Sequence, residues 1–218
     1  MKRWCTYFSA FFLALWLALI AFFSVGLNDE AYYFAQLRAG VTPESSGLSP
    51  EEWLSVDRQT AMFLARRGSM PEGLSEDGQT HMTDVQRLFS IARGVMIASL
   101  FLAAALFLIG GRAWKTLLRA YAACALLVFG LLLAVSLIGT DRFEGLFSAF
   151  HSAVFSNRLW LLNPETDAII RVMPVAFFQN MALYTLILAA FLWLVGGFAL
   201  AAAGKRRAPH NEDQTEDI

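Results

Sequence analysis

The chain has 218 residues, 57% of them hydrophobic and 16% charged, with a formal net charge of −1. A soluble domain carries about a quarter charged residues, and a balance this close to neutral offers no basic field for nucleic acid. The charges lie almost entirely between and outside four uncharged runs. That pattern predicts an all-α integral membrane protein, with four transmembrane helices and a mainly helical extracytoplasmic cap.

The first run, Trp4 to Asn28, has 25 residues and no charge. About 20 residues cross a hydrocarbon core of ~30 Å, so residues 1–28 are expected to form the first span. The run is longer than a signal-peptide core and lacks a marked small-residue cleavage site, so it is expected to stay as a helix. Cys5 and Cys124 have no metal or disulfide spacing and read as apolar fillers.

Residues 29–91 are expected to form the cap. From Asp29 to Arg87 there are ten acidic residues, five arginines and no lysine. Ser49, Pro50 and Glu52 form a capping box that starts a helix. Trp53, Leu54, Ala61 and Leu64 recur at helical spacing, and Gly68 is expected to end the helix. A second helix is expected from near Thr83, with Gln86 three residues on, running into span two.

Residues 92–140 are expected to hold spans two and three, from the runs Gly94 to Gly111 and Ala120 to Thr140, with a short link between them. Residues 141–180 form a second outer segment rich in aromatics, among them Phe143, Phe147, Phe150, Phe155, Trp160, Phe177 and Phe178. These fit either an interfacial belt or an apolar pocket for lipid chains. The last uncharged run, Val172 to Gly204, is too long for one span. Pro174, Gln179 and Asn180 place the fourth helix at 181–204, with Val172 to Phe178 interfacial. Residues 205–218, with His210, read as a disordered tail. Lys2 and Arg3, then Arg112, Lys115 and Arg119, then Lys205, Arg206 and Arg207 all fall on one side of a four-span chain. The positive-inside rule makes that side, and both termini, cytoplasmic.

His81 and His151 are then expected at one depth on the outer face. Imidazole titrates near 6.5 and suits proton transfer, although each residue taken alone more often serves as an interfacial hydrogen-bonding group. Asp84 sits one turn after His81 and is expected either to orient its ring or to serve as a first-turn acid. No catalytic triad, nucleophile elbow, phosphate-binding glycine loop or zinc-binding helix motif is present.

HMTDVQRLF, from His81, and FHSAVFSNRLWLLNPETDAIIRVMP, from Phe150, resemble the two histidine motifs of the bacterial lipoprotein intramolecular transacylases. GLSPEEWLSVDRQTAMFLARRG and the four-span layout fit the rest of the pattern, so the resemblance covers most of the chain before the tail. Within the second motif Phe150, His151, Phe155, Trp160, Pro164, Asp167 and Pro174 fall in register. One position departs: Gln86 stands where a lysine often follows the valine, and Arg87 comes next. The resemblance implies that His81 and His151 are catalytic, that Phe150, Phe155, Trp160, Asp84 and Arg87 bind substrate, and that no metal or other cofactor takes part. It implies as substrate a lipoprotein whose N-terminal cysteine carries a diacylglyceryl group. The sn-2 acyl chain moves to the α-amino group and leaves a lyso-form lipoprotein. Membrane lipid is the surrounding partner, with no nucleic acid and no obligate protein partner. Two other readings stay open: a metal-dependent hydrolase using His81, Asp84 and His151, and a non-catalytic lipid- or lipoprotein-binding scaffold.

Overall fold

The computed structural model describes residues 2–110 and 113–206. Arg112, Arg207 and the tail with His210 lie outside them. Among the described residues every regular element is a helix: α1 (Lys2–Gly26), α2 (Asp29–Arg38), α3 (Pro43–Ser46), α4 (Pro50–Leu64), α5 (Glu76–Gly110), α6 (Trp114–Leu137), α7 (Thr140–Val154), α8 (Ala168–Val172) and α9 (Val175–Lys205). Helices α1, α5, α6 and α9 are long and apolar enough to cross a membrane.

α1 packs against the other three spanning helices. Apolar helices in lipid gain little from expelling water, so close approach and interhelical hydrogen bonds hold them. α1 supplies buried Ala10, Ala14 and Ala21. Gly196 lies so near Tyr121 that a Cβ there would meet its hydroxyl at 2.8 Å. Ser9 donates to the Ala103 carbonyl (2.8 Å), Tyr121 to the Trp193 carbonyl (2.9 Å), and the Trp193 indole to the Ala14 carbonyl (3.1 Å). The bundle's outer surface remains apolar, as Leu108 (79% exposed) and Phe198 (76%) show.

The remaining helices and the first turns of α5 gather at one end of the bundle. Tyr32, Trp53, Phe63, Met82, Val172 and Phe177 belong to one buried cluster that joins this cap to the spans. The capping box at Ser49 forms in full: its hydroxyl accepts from Glu52 N, and the Glu52 carboxylate accepts from Ser49 N.

Four local expectations are corrected. α4 ends before Gly68, because Arg66 takes the left-handed conformation (φ 59°). The Arg66 and Arg67 amides then bond back to Phe63 and Met62 (2.9 and 2.8 Å), a Schellman turn built on a non-glycine residue. Gly68 is small for another reason: a Cβ there would lie 2.9 Å from Met62 Cβ. Leu54 is off the buried face, 52% exposed.

α5 starts at Glu76 rather than near Thr83, so the boundary drawn at 91/92 falls inside one 35-residue helix. A helix of that length spans about 52 Å, well beyond a ~30 Å core. The uncharged stretch of the helix runs from Gly94, and all of its charged residues lie before that stretch. α9 starts at Val175 rather than Met181, with Pro174 as its N-cap. Gln179 and Asn180 therefore lie within the helix. Their amide groups are satisfied there: Gln179 donates to the Ile138 carbonyl (2.7 Å), and Asn180 to the Ala35 carbonyl (3.0 Å).

The N-terminus of α5 is tied to a distant loop. Ser75 Oγ accepts from Gly78 N (3.1 Å), as an N-cap does. Ser75 in turn donates from both its N–H and its hydroxyl to Asp167 Oδ1, 2.8 Å each. Thr166 Oγ (2.9 Å) and Asn163 N (3.3 Å) donate to Oδ2. Burial opposes the Asp167 charge, but these donors outweigh it and hold the carboxyl below its ordinary range. A Cβ on Gly78 would collide with that carboxylate, which explains a glycine in a helix at a cost of about 1 kcal/mol.

Asp167→Ala is expected to lower the stability by about 3 kcal/mol, because several partly buried donors lose their acceptor. A lowered thermal midpoint in detergent checks this. The folded-state value is depressed, so the contribution is complete above the unfolded carboxylate range near 4. It disappears as pH falls below that range through the folded value, and Asp167→Ala should flatten the acid limb of stability against pH.

Candidate active site

The two histidines come from α5 and from α7, and the chain after α7 runs into the loop that Asp167 ties to the start of α5. His81 lies in the second turn of α5 and His151 in the last turn of α7. Both are buried, at 7% and 8% exposure. Their ring centroids stand 5.9 Å apart, with planes at 43°. Phe155 touches both rings, 5.1 Å from His81 and 5.6 Å from His151. Phe147 and Trp160 cover His151 at 4.0 and 5.0 Å, and Phe178 packs behind Phe147.

Hydrogen bonding distinguishes the imidazoles. His151 Nδ1 lies 2.7 Å from the Phe147 carbonyl, one turn back in α7. A carbonyl only accepts, so Nδ1 carries the proton and Nε2 keeps a free lone pair. His81 Nδ1 is enclosed and has no hydrogen-bond partner. Burial lowers the His151 pKa from its ordinary value, partly offset by the Phe147 carbonyl. His81 stands outside the crossing part of α5. Burial, with His151 beside it, pulls its pKa down to about 4 against a smaller opposing effect of Asp84. Both rings are therefore neutral near pH 7.

The residues singled out from the sequence separate here. Phe155 and Trp160 are in ring contact with the pair. Phe150 meets His151 edge-on at 5.4 Å but is 54% exposed. It continues an exposed apolar stripe on α7 with Leu146 and Val154. Phe147, Phe155 and Trp160 thus cover the rings, while Phe150 stands on an exposed apolar stripe. Asp84 does not hydrogen-bond the His81 ring: its carboxylate accepts from Asn157 Nδ2 at 3.1 Å. Arg87 is exposed, and six residues on from His81 it points about 120° away around the helix.

Other groups of the site went unread in the sequence. Asn157 also accepts from Leu159 N (3.1 Å), so it fixes the turn between Phe155 and Trp160 and ties it to α5. Phe147, at i−4 from His151, was visible as an aromatic but not as a backbone acceptor. Among the described residues no three His, Cys, Asp or Glu side chains gather closely enough to hold a metal ion.

The family model described as lipoprotein intramolecular transacylase Lit matches residues 7–178. The chain is similar to the membrane-integral lipoprotein intramolecular transacylase Lit of Bacillus cereus, with a TM-score of 0.79, 22% identity, and coverage of 95% of this chain and 97% of that one. Two structures of variants of that protein also match. The form with a histidine-to-arginine mutation has a TM-score of 0.77 at 21% identity, covering 95% and 93% of the two chains. The form with a histidine-to-alanine mutation has 0.74 at 22%, covering 94% and 93%. No curated protein sequence matches.

Nitrogen NMR of histidine-labelled protein at pH 7 is expected to show His151 neutral with its proton on Nδ1. An imidazolium signal, or a proton on Nε2, would contradict the geometry.

Proposed function

The chain belongs to the lipoprotein intramolecular transacylase family, and from that premise we propose how its two buried histidines move an acyl chain. The substrate is a lipoprotein with a diacylglyceryl group on its N-terminal cysteine. The sn-2 acyl group passes to the cysteine α-nitrogen and leaves the lyso form. The observation that carries this reading is the pair of neutral imidazoles 5.9 Å apart under an aromatic cover.

His151 is the base. Its free Nε2 takes a proton from the α-amino nitrogen as that nitrogen attacks the sn-2 ester carbonyl. The carbonyl π-electrons move to oxygen. His81, whose enclosed Nδ1 has no acceptor, carries its proton on Nε2 and donates toward the developing oxyanion, as a neutral imidazole electrophile. When the intermediate collapses, the C–O bond to glycerol breaks, and the His151 imidazolium returns the proton to the departing oxygen. One ring thus takes up and gives back the proton. A resting imidazolium donor does not fit two depressed pKa values.

Attacking and leaving groups belong to one molecule, so holding it in a cyclic pose supplies much of the rate as effective molarity. Phe147, Phe155 and Trp160 restrict that pose and keep out the water that would hydrolyse the ester. The acyl chains approach along the exposed stripe of Leu146, Phe150 and Val154. Arg87 is turned away from the rings, and no step of the transfer is assigned to it. The site faces the extracytoplasmic side. In support, the described basic residues Lys2, Arg3, Lys115, Arg119, Lys205 and Arg206 flank the opposite ends of the spans.

Variants expressed in a bacterium lacking the activity, with N-terminal lipopeptides read by tandem mass spectrometry, test the roles. His151→Ala and His151→Gln are both expected to lose about 10³-fold in rate, because neither supplies a base. His81→Ala should lose about 10²-fold, and His81→Gln less, because its amide still donates. Wild-type rates in both alanine variants would remove the mechanism. The imidazoles are already neutral at pH 7, so the acid limb of kcat/KM belongs to the substrate amine, with a pKa near 7.7–8.0. A limb placed instead at about 6.5 would mean that an unperturbed histidine limits the reaction.

A further inference from the structure

Away from the histidines, α1, α4, α5 and the start of α2 converge on a cavity of about 490 Å³ where the cap meets the bundle. Phe23 from α1, Met62 from α4 and Met96 from α5 give it apolar walls, and Arg58, Arg67 and Arg93 also line it. The Schellman turn at Arg66 places Arg67 there, through the bond from its amide to Met62. Asp29 is the one acid lining the cavity, so its charge is net positive. Among the described residues no ion pair joins any of these arginines to an acid. Arg93 rests on the Phe23 ring, with Cζ 5.6 Å from the centroid. That contact holds the Arg93 charge against an aromatic ring at the cavity wall.

Position narrows the ligand. Arg93 is the last charge before the uncharged stretch of α5 from Gly94. The cavity therefore lies at the level where the chain enters the apolar layer, with basic groups beside apolar walls. A lipid phosphate suits the guanidiniums, which bind phosphate oxygens in pairs. Glycerol and the first chain carbons suit Phe23, Met62 and Met96. A net positive lining disfavours a headgroup that carries its own ammonium.

We propose that this cavity binds the headgroup of an anionic phospholipid, with Arg58, Arg67 and Arg93 holding its phosphate. The site is separate from the acyl site. Arg93 is twelve residues beyond His81, ~18 Å along α5 and about a third of a turn around it. The diacylglyceryl-cysteine of the proposed substrate carries no phosphate, so the acyl-transfer reading neither requires nor supplies this ligand.

The full chain, purified in detergent, is titrated with phosphatidylglycerol, phosphatidylcholine or inorganic phosphate. Retained lipid is read by native mass spectrometry and stability by thermal midpoint. Phosphatidylglycerol is expected to bind and raise the midpoint, and the other two to have little effect. Each of Arg58→Gln, Arg67→Gln and Arg93→Gln should weaken binding roughly fivefold, and the triple variant about a hundredfold. Arg38→Gln, an exposed arginine outside the cavity, should leave it unchanged. The single variants keep the test sharp if the triple variant does not fold. Equal binding of the two lipids, full binding by the arginine variants, or an equal midpoint shift from inorganic phosphate would overturn the proposal. So would displacement of phosphatidylglycerol by an acidic lipopeptide, which would assign the cavity to the substrate's peptide.

Discussion

The Asp167 carboxylate closes the loop on which the histidine pair depends. Sixteen residues separate it from His151 and six separate Ser75 from His81, so its bonds to Ser75 join the two imidazoles through short chain paths on both sides. The hydrogen bond from Asn157 to Asp84 ties the same loop to α5 again, one helical turn beyond His81. Two polar links on one helix fix both height and rotation, which apolar packing alone does not specify. Gly78 serves the same closure, because a methyl group there would occupy the carboxylate's place. The polar residues in this loop thus help to set a geometry that the two imidazoles share.

How much of this is legible in the sequence follows from the range of each interaction. The spans are legible because lipid imposes a simple rule, about 20 residues without charge, and α1 and α6 obey it closely. The capping box at Ser49 is legible because both partners lie within four residues. The starts of α5 and α9 are not. For α5 the N-cap is Ser75, but its environment includes Asp167, 92 residues away. For α9 the amides of Gln179 and Asn180 look like helix breakers in an apolar run until their carbonyl acceptors on other elements are known. The end of α4 misleads for a different reason: the left-handed position falls on Arg66, and the nearby Gly68 answers a steric need against Met62.

Within the site, motif register singles out His81 and His151 but leaves their roles equivalent. The distinction comes from one backbone acceptor. His151 sits four residues after Phe147 in α7, and its Nδ1 reaches that carbonyl, which leaves Nε2 with a free lone pair. Nothing comparable meets His81 Nδ1. Asp84 was the natural partner by helical spacing, yet Asn157 takes it instead. Had Asp84 bonded His81 directly, the ring would favour the charged form, and two adjacent imidazoles would compete for one proton less evenly than neutral ones do.

Burial does two jobs here that cannot be separated. The aromatic contacts that cover His151 remove water from the ring, and the same loss of solvation depresses its pKa. A more open site would restore an ordinary histidine, partly protonated near neutral pH, and would admit water to a reactive ester. On the proposed reading, a more closed one would leave no way in for two acyl chains. The fold meets both demands by dividing α7 along its length of 15 residues. One face carries Phe143, Phe147 and His151 inward, while Leu146, Phe150 and Val154 face outward. In the proposed mechanism, entry and exclusion are then properties of two sides of one short helix, and the i, i+4 spacing on each side is what keeps them apart.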